Sequence, residues 1–293
     1  MTCWKLNKNY QIKQVVRNYS SKNIRMAIII PTYYRQNKSS INNLRNLLTS
    51  INNQVYQDFH IFLIGDDYEH PSEILELLEN HDLKNKITFY NNPISFRSYN
   101  FMRKQNYWAI GGSHALLYGV TRAIKEGYDY YAHIDDDDTW LPDHLLEITT
   151  YIRKFPEGDW FYTRSKYCKD HFLPGRLHPP DEINYNIYQP LPGHTCHSAH
   201  VYNLNTLGIS IIEDFSSQIT LANKVDEYVK KSKIDRVFSL KKSNNIIGFN
   251  PDIDFTPADL KIALRLCNSY KYKSVYIPIV TCIKESDGNY VEF

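Results

Sequence analysis

Between residues 26 and 152, short apolar runs alternate with segments of helical periodicity, and this rhythm constrains the fold more than any other feature. Met26-Ala-Ile-Ile-Ile30 reads as a buried strand closed by Pro31. Ile41, Leu44, Leu48 and Ile51 then recur at helical spacing, with Ser39 or Ser40 as a possible cap. Phe59 to Ile64 is the next strand, Ile74, Leu77 and Leu78 mark a short helix after Pro71, and Ile87 to Tyr90 is a third strand. A loop rich in arginine and aromatics leads to a helix from about Ser113 to Glu126, ended by Gly127. Tyr128 to Ile134 is another strand, and Pro142 opens a helix that turns Leu145, Ile148 and Ile152 inward. Such alternation predicts an α/β fold, a mainly parallel central sheet with helices on both faces.

Past Trp160 the rhythm loosens. Asp159 to Thr163 and Cys196 to Tyr202 read as strands around a stretch rich in proline and histidine. Lysine-rich helical segments run to about Lys242, and a well-signalled helix starts at Thr256-Pro257-Ala258-Asp259. The expected division is an N-terminal arm over 1–23, a nucleotide-binding half over 24–165 and a substrate-facing half over 166–293. The two halves share one sheet and one core, so a single domain is expected.

Composition narrows the partners. The 34 basic and 32 acidic residues leave a formal net charge of +2, which gives no general reason to bind nucleic acid or a membrane surface. Five scattered cysteines with no CxxC pair argue for a reducing compartment and against a thiolate zinc site. No apolar run approaches a membrane span, and residues 1–23 lack the order of a signal peptide. A soluble, cytoplasmic protein is therefore expected. Tyrosine, asparagine, lysine and isoleucine all have AT-rich codons, and their abundance suggests a low-GC bacterium or a large DNA virus.

The chemistry gathers at strand ends, where open parallel sheets bind ligands. The first strand runs into Pro31-Thr32-Tyr33-Tyr34-Arg35, the second into Asp66-Asp67, and a later one into Asp135-Asp136-Asp137-Asp138. Four adjacent carboxylates repel one another unless a cation sits among them. Oxygen-only ligands suit Mg²⁺ or Mn²⁺, so a metal holding a diphosphate is one reading and a solvated acidic turn the other. His194, Cys196, His197 and His200 do not suit zinc if the segment is extended, because His197 then faces away from His194 and His200.

The ordered set Ala27-Ile-Ile-Ile-Pro-Thr-Tyr33, Phe62-Leu-Ile-Gly-Asp-Asp67 and Ile134-Asp-Asp-Asp-Asp-Thr-Trp-Leu-Pro142 resembles family 2 of the inverting glycosyltransferases, with the GT-A fold. The spacing Gly112, Ala115, Gly119-Val120, Ala123, Gly127-Tyr128 also matches. The resemblance covers roughly the first 165 residues. It implies a transferase that moves a sugar from a UDP-sugar donor to a hydroxyl of a glycan or other acceptor, with inversion. Residues 24–165 become the donor half and 166–293 the acceptor half.

By motif position, the resemblance places Thr32 and Tyr33 along the nucleoside, with Pro31 and Arg35 beside them as donor-binding residues, Asp67, with Asp66, at the uracil, and Asp136, with Asp135, at the ribose. Asp137 is the implied ligand of Mn²⁺ or Mg²⁺, and Arg103, with Arg97 and Lys104, could meet the diphosphate. His197 falls in a segment that lies on the acceptor side in the family. Trp140 is either a platform for the acceptor sugar or a core aromatic.

An inverting transfer needs a general base. The stretch Ala258-Asp259-Leu-Lys-Ile-Ala-Leu-Arg265-Leu266 is similar to the family's base-bearing helix start, which makes Asp259 the expected base. The same residues also form a capping box, and Asp214 is the competing carboxylate. Two departures from the family stand out. Leu116-Leu117 replaces a frequent Arg-Asn pair, and Ile283 to Gly288 contains no histidine where one often touches diphosphate or metal. Lys284 is the residue able to replace it electrostatically. The rival readings are a nucleotidyltransferase, which usually has a glycine-rich basic loop after the first strand, and an inactive nucleotide- or sugar-binding module.

Overall fold

The apolar runs of the first half become neighbouring strands. β1 (Met26–Thr32) pairs in parallel with β2 (Phe59–Asp66), β2 with β3 (Ile87–Asn92), and β1 on its other side with β4 (Tyr130–His133). The computed structural model describes residues 24–95, 112–167, 177–178, 196–232, 262, 265–266 and 271–284. Along β1 the side chains alternate between two cores, as the two-residue period of a strand requires. Ile28 and Ile30 pack with Leu44, Leu48 and Ile51 of α1 (Ser39–Asn52), Ile74 of α2 (Pro71–Glu79) and Leu145 and Ile148 of α4 (His144–Lys154). Ala27 and Ile29 pack with Ala115 and Val120 of α3 (Ser113–Lys125) and with Leu207, Ile211 and Phe215 of α5 (Leu204–Ser232). Ile28, Ile29 and Ile30 are fully buried, and each contributes about 1.5–3 kcal/mol of apolar transfer free energy. The expected α/β architecture, with helices on both faces of a mostly parallel sheet, is what the structure shows.

Close approach of α3 to the sheet depends on Gly119. A Cβ added there would meet Ile29 Cγ2 at 2.5 Å.

The sheet continues through β8 (His200–Asn203), β6 (Trp160–Tyr167), β9 (Ser274–Lys284) and β5 (Thr139–Trp140), giving the order β3-β2-β1-β4-β8-β6-β9-β5. The short β7 (Leu177–His178) pairs with β6. β8 runs antiparallel to both β4 and β6, and β6 runs parallel to β9. The two reversals cancel, so β1, β2, β4, β6 and β9 all point the same way. Their carboxyl ends therefore share one edge of the sheet.

Three differences from the sequence reading have physical causes. Segment Cys196–Tyr202 is not one strand: a 3₁₀ turn over His197–Ala199 precedes β8, and Ser198 in that turn bonds to the acidic run. Neither Ser39 nor Ser40 caps α1; the N-cap is Lys38, at φ 60°. β9 has no counterpart in the sequence reading, because Pro278 sits inside it and proline cannot donate to a ladder. The ladder accommodates it with a bulge: Thr163 pairs with Ile277 and Arg164 with Val280, so Pro278 and Ile279 are skipped.

Candidate active site

Each strand end at the shared edge is fixed by its own local chemistry. After β1 the chain turns through Tyr33, Tyr34 and Arg35, and Ser40 ties the turn: its hydroxyl accepts from the Arg35 N–H at 2.7 Å and donates to the Tyr33 carbonyl at 2.9 Å. Arg35 is buried and lies over the Tyr33 ring at 4.2 Å. After β2, Asp66 is buried and accepts from the Ser95 hydroxyl at 2.9 Å, whereas Asp67 is exposed and holds a φ of 54°. The Asp67 N–H donates to the Asn92 carbonyl at 2.8 Å. Asn91 secures the next residue by accepting from the Tyr68 N–H and donating to the Tyr68 carbonyl.

The acidic run after β4 splits its four carboxylates by direction. Asp136 and Asp138 are buried, while Asp135 and Asp137 are partly exposed. Asp136 accepts from both Arg35 terminal nitrogens, at 2.6 and 2.8 Å, and from the Thr32 hydroxyl at 2.6 Å. The same arginine reaches Asp137 at 3.3 Å. Burial lowers the Arg35 pKa, but the adjacent Asp136 overrides it and holds the guanidinium firmly charged.

The other three carboxylates form one cluster. Asp135, Asp137 and Asp138 each offer an oxygen, all within 4.8 Å of one another. Lys284, at the end of β9, donates to Asp135 at 2.9 Å and to Asp138 at 2.8 Å. Ser198 donates to Asp138 and accepts from the Asp135 N–H at 3.1 Å. His133 bonds Asp135 through Nε2 at 2.9 Å, and its Nδ1 meets the Tyr131 hydroxyl at 2.8 Å. Burial pushes Asp135 upward, but Lys284 and His133 outweigh it and hold that carboxyl well below its usual range. Burial and the flanking Asp136 and Asp135 push Asp137 upward against Lys284.

These residues fit a divalent ion. Metal–oxygen bonds of about 2.0–2.6 Å allow ligand oxygens on one ion to lie up to roughly 5 Å apart, which the cluster meets. Four carboxylates against Arg35 and Lys284 leave two formal negative charges. All the donors are oxygen, which suits Mg²⁺ or Mn²⁺.

The sequence profile of glycosyl transferase family 2 matches residues 27–208, most of the chain and the ends of β1, β2 and β4 just described, though not Lys284 of β9. The chain belongs to glycosyl transferase family 2. Among curated relatives of this family 2 chain is the uncharacterized glycosyltransferase R139 of Acanthamoeba polyphaga mimivirus, 32% identical over 166 residues, covering 57% of this chain and 66% of R139. Another is the succinoglycan biosynthesis protein ExoW of Rhizobium meliloti (strain 1021), 27% identical over 149 residues, covering 47% of this chain and 40% of ExoW. The chain thus matches less than two thirds of the length of either relative.

The crystal structure of S. aureus TarS 1–349 superposes with a TM-score of 0.52 at 12% identity, covering 92% of this chain and 62% of that one. The longer S. aureus TarS gives 0.51 at 12%, covering 91% and 37%. Together with the family match, this likeness bears out the expected GT-A fold. Among the described residues, no helix is long and apolar enough to cross a membrane.

The structure brings Thr32, Tyr33, Arg35, Asp135, Asp136 and Asp137 to one place, with Pro31 in the same segment and Asp66 and Asp67 at the neighbouring strand end. Asp136 is 3% exposed, and both its oxygens accept hydrogen bonds, from Arg35 and Thr32, which brace the β1 turn. Arg35 is engaged likewise. Trp140 belongs to the core: it is 3% exposed, stacks on His144 at 4.2 Å and donates to the Ser198 carbonyl at 2.7 Å, leaving no face for a sugar. His197 stacks on His133 at 3.7 Å behind Asp135. Burial, then His133 and His200, hold it well below the usual histidine range. Asp214 is ion-paired with Arg265 at 2.6 Å. Asp259, Arg97, Arg103, Lys104 and His194 lie outside the described residues.

Sequence reasoning counted Asp138 only as one of four adjacent carboxylates and gave no role to His133 or Ser198. The two-residue step from His133 to Asp135 was the available signal, since neighbours at that spacing can share a face.

Proposed function

We propose that this chain is a metal-dependent, inverting glycosyltransferase that moves a sugar from a UDP-sugar to a hydroxyl of a glycan or other acceptor. One observation carries the reading: Asp135, Asp137 and Asp138 converge within 4.8 Å at the carboxyl edge of the parallel strands of a family 2 chain. R139 and ExoW support it, the first as a named glycosyltransferase and the second as a named succinoglycan biosynthesis protein.

Asp137 is the principal metal ligand in this reading, with Asp135 and Asp138 beside it. A bound Mn²⁺ or Mg²⁺ would supply Lewis-acid neutralisation of the UDP leaving group. The protein's own residues do the remaining work. The Thr32–Arg35–Asp136 lock fixes the β1 turn, so Tyr33 is held in place as one wall of the nucleoside site. Exposed Asp67, beside buried Asp66, accepts from the uracil N–H. Asp259 takes the proton from the acceptor hydroxyl as its oxygen bonds the anomeric carbon and the bond to the UDP oxygen breaks. The Arg265–Asp214 ion pair favours Asp259 over Asp214, because a carboxylate already paired with a guanidinium is a weaker base. Residues 24–165 would hold the donor and 166–293 the acceptor, with Arg103 near the diphosphate and His197 behind the acceptor side.

The test is slow donor hydrolysis. Incubated with UDP-sugars, the protein should release UDP when Mn²⁺ is present, and Asp137→Asn should lower that rate by about 10²-fold or more. Binding without hydrolysis of any nucleotide-sugar would indicate an inactive module instead.

A further inference from the structure

Lys284 sits where a second cation would have to go. β9 runs parallel to β6 and antiparallel to β5, and β5 begins immediately after the acidic run, with Thr139 opposite Ile283. That register delivers Lys284 into the cluster from a position 149 residues away in sequence from Asp135. Its ammonium spans Asp135 Oδ2 and Asp138 Oδ2 at 2.9 and 2.8 Å, with the side chain 17% exposed. Those two carboxylates are also two of the three that can hold a metal.

A divalent ion bonded to them would lie within a few ångströms of the ammonium, in a partly buried site where like charges repel. The ion and the ammonium would compete for the same two carboxylates. The lysine is the one able to move, since its charge rides on a flexible four-carbon stem. Arg35 is not, because its planar fork is locked on Asp136.

We propose that Lys284 is a built-in counter-cation that holds the acidic cluster together without metal and is displaced from Asp135 and Asp138 when a divalent ion binds. This inference rests on the metal reading above. It assigns Lys284 a positioning role, and it makes metal affinity in this chain a net exchange of one cation for another.

Two measurements test it. Direct titration of Mn²⁺ into the wild-type chain, Lys284→Met and Lys284→Arg should show Lys284→Met binding at least about tenfold more tightly, with no tightening in Lys284→Arg. Equal or weaker binding by a folded Lys284→Met, while the wild type binds, would overturn the exchange and leave the metal reading intact. If neither binds Mn²⁺, the metal reading fails and the exchange fails with it. Binding by Lys284→Met alone would support displacement. The second measurement uses the wild-type chain and so does not depend on a variant folding. Acylation of Lys284 by an amine-reactive ester, followed by mass spectrometry, should rise severalfold at saturating Mn²⁺. Unchanged or reduced labelling at saturation would overturn the proposal.

Discussion

Arg35 grips Asp136 through both terminal guanidinium nitrogens, at 2.6 and 2.8 Å, across 101 residues of sequence. Both partners are buried, so removing either strands a charge in the interior. Arg35→Met should destabilise the fold by about 3–5 kcal/mol, the usual cost of breaking a buried pair from one side. Arg35→Lys should recover part of that loss, because an ammonium matches one carboxylate oxygen but not the planar fork. Urea denaturation of the three proteins checks the order.

Gly119 lets α3 rest against β1, and a methyl there would press on Ile29 at 2.5 Å. Gly119→Ala gains about 1 kcal/mol of helix propensity. It also overpacks a fully buried contact, at about 1–3 kcal/mol. A net loss of about 1 kcal/mol is expected in the same denaturation assay, and a stabilised variant would show that the close contact does not exist.

Burial holds His144 and His200 down at about 3, and His197 also well below its ordinary value. Between pH 6.5 and about 3 the unfolded chain binds a proton at each position and the folded chain does not. Stability must therefore rise with pH across that window and fall on acidification. The slope reaches about 1.4 kcal/mol per pH unit for each histidine. His144→Gln should lower the slope by one proton in denaturation midpoints measured from pH 7.5 to 4.5; an unchanged slope would refute the buried neutral state.

Asp259 is the proposed base, and its substitution separates chemistry from binding. Asp259→Asn should abolish transfer while donor affinity stays within about twofold, since catalysis by a base acts on the transition state. Near-wild-type turnover would reject the assignment.

The parallel strands from β1 to β4 were legible because their signals are local. Apolar runs such as Met26 to Ile30 and their two-residue alternation revealed the strands, and the carboxyl-edge rule placed Asp66, Asp67 and Asp135–Asp138 together. What the sequence concealed was long-range. Lys284 reaches Asp135 through β9, whose Pro278 disguised the strand until a bulge absorbed it. The Arg35–Asp136 pair was hidden for the same reason, because nothing local shows that the two residues meet. Trp140 carried the same ambiguity: adjacency to the acidic run says nothing about which way an indole points, and His144 and Ser198 draw it inward.

The central claim is that the acidic edge binds UDP through a divalent ion. Calorimetric titration of UDP into the wild-type chain, with Mn²⁺ and with EDTA, tests it most directly, alongside Asp137→Asn under both conditions. The account predicts saturable UDP binding with Mn²⁺, and loss of that binding both in EDTA and in Asp137→Asn. Equal UDP affinity with and without the ion, or no UDP binding under either condition, would contradict it.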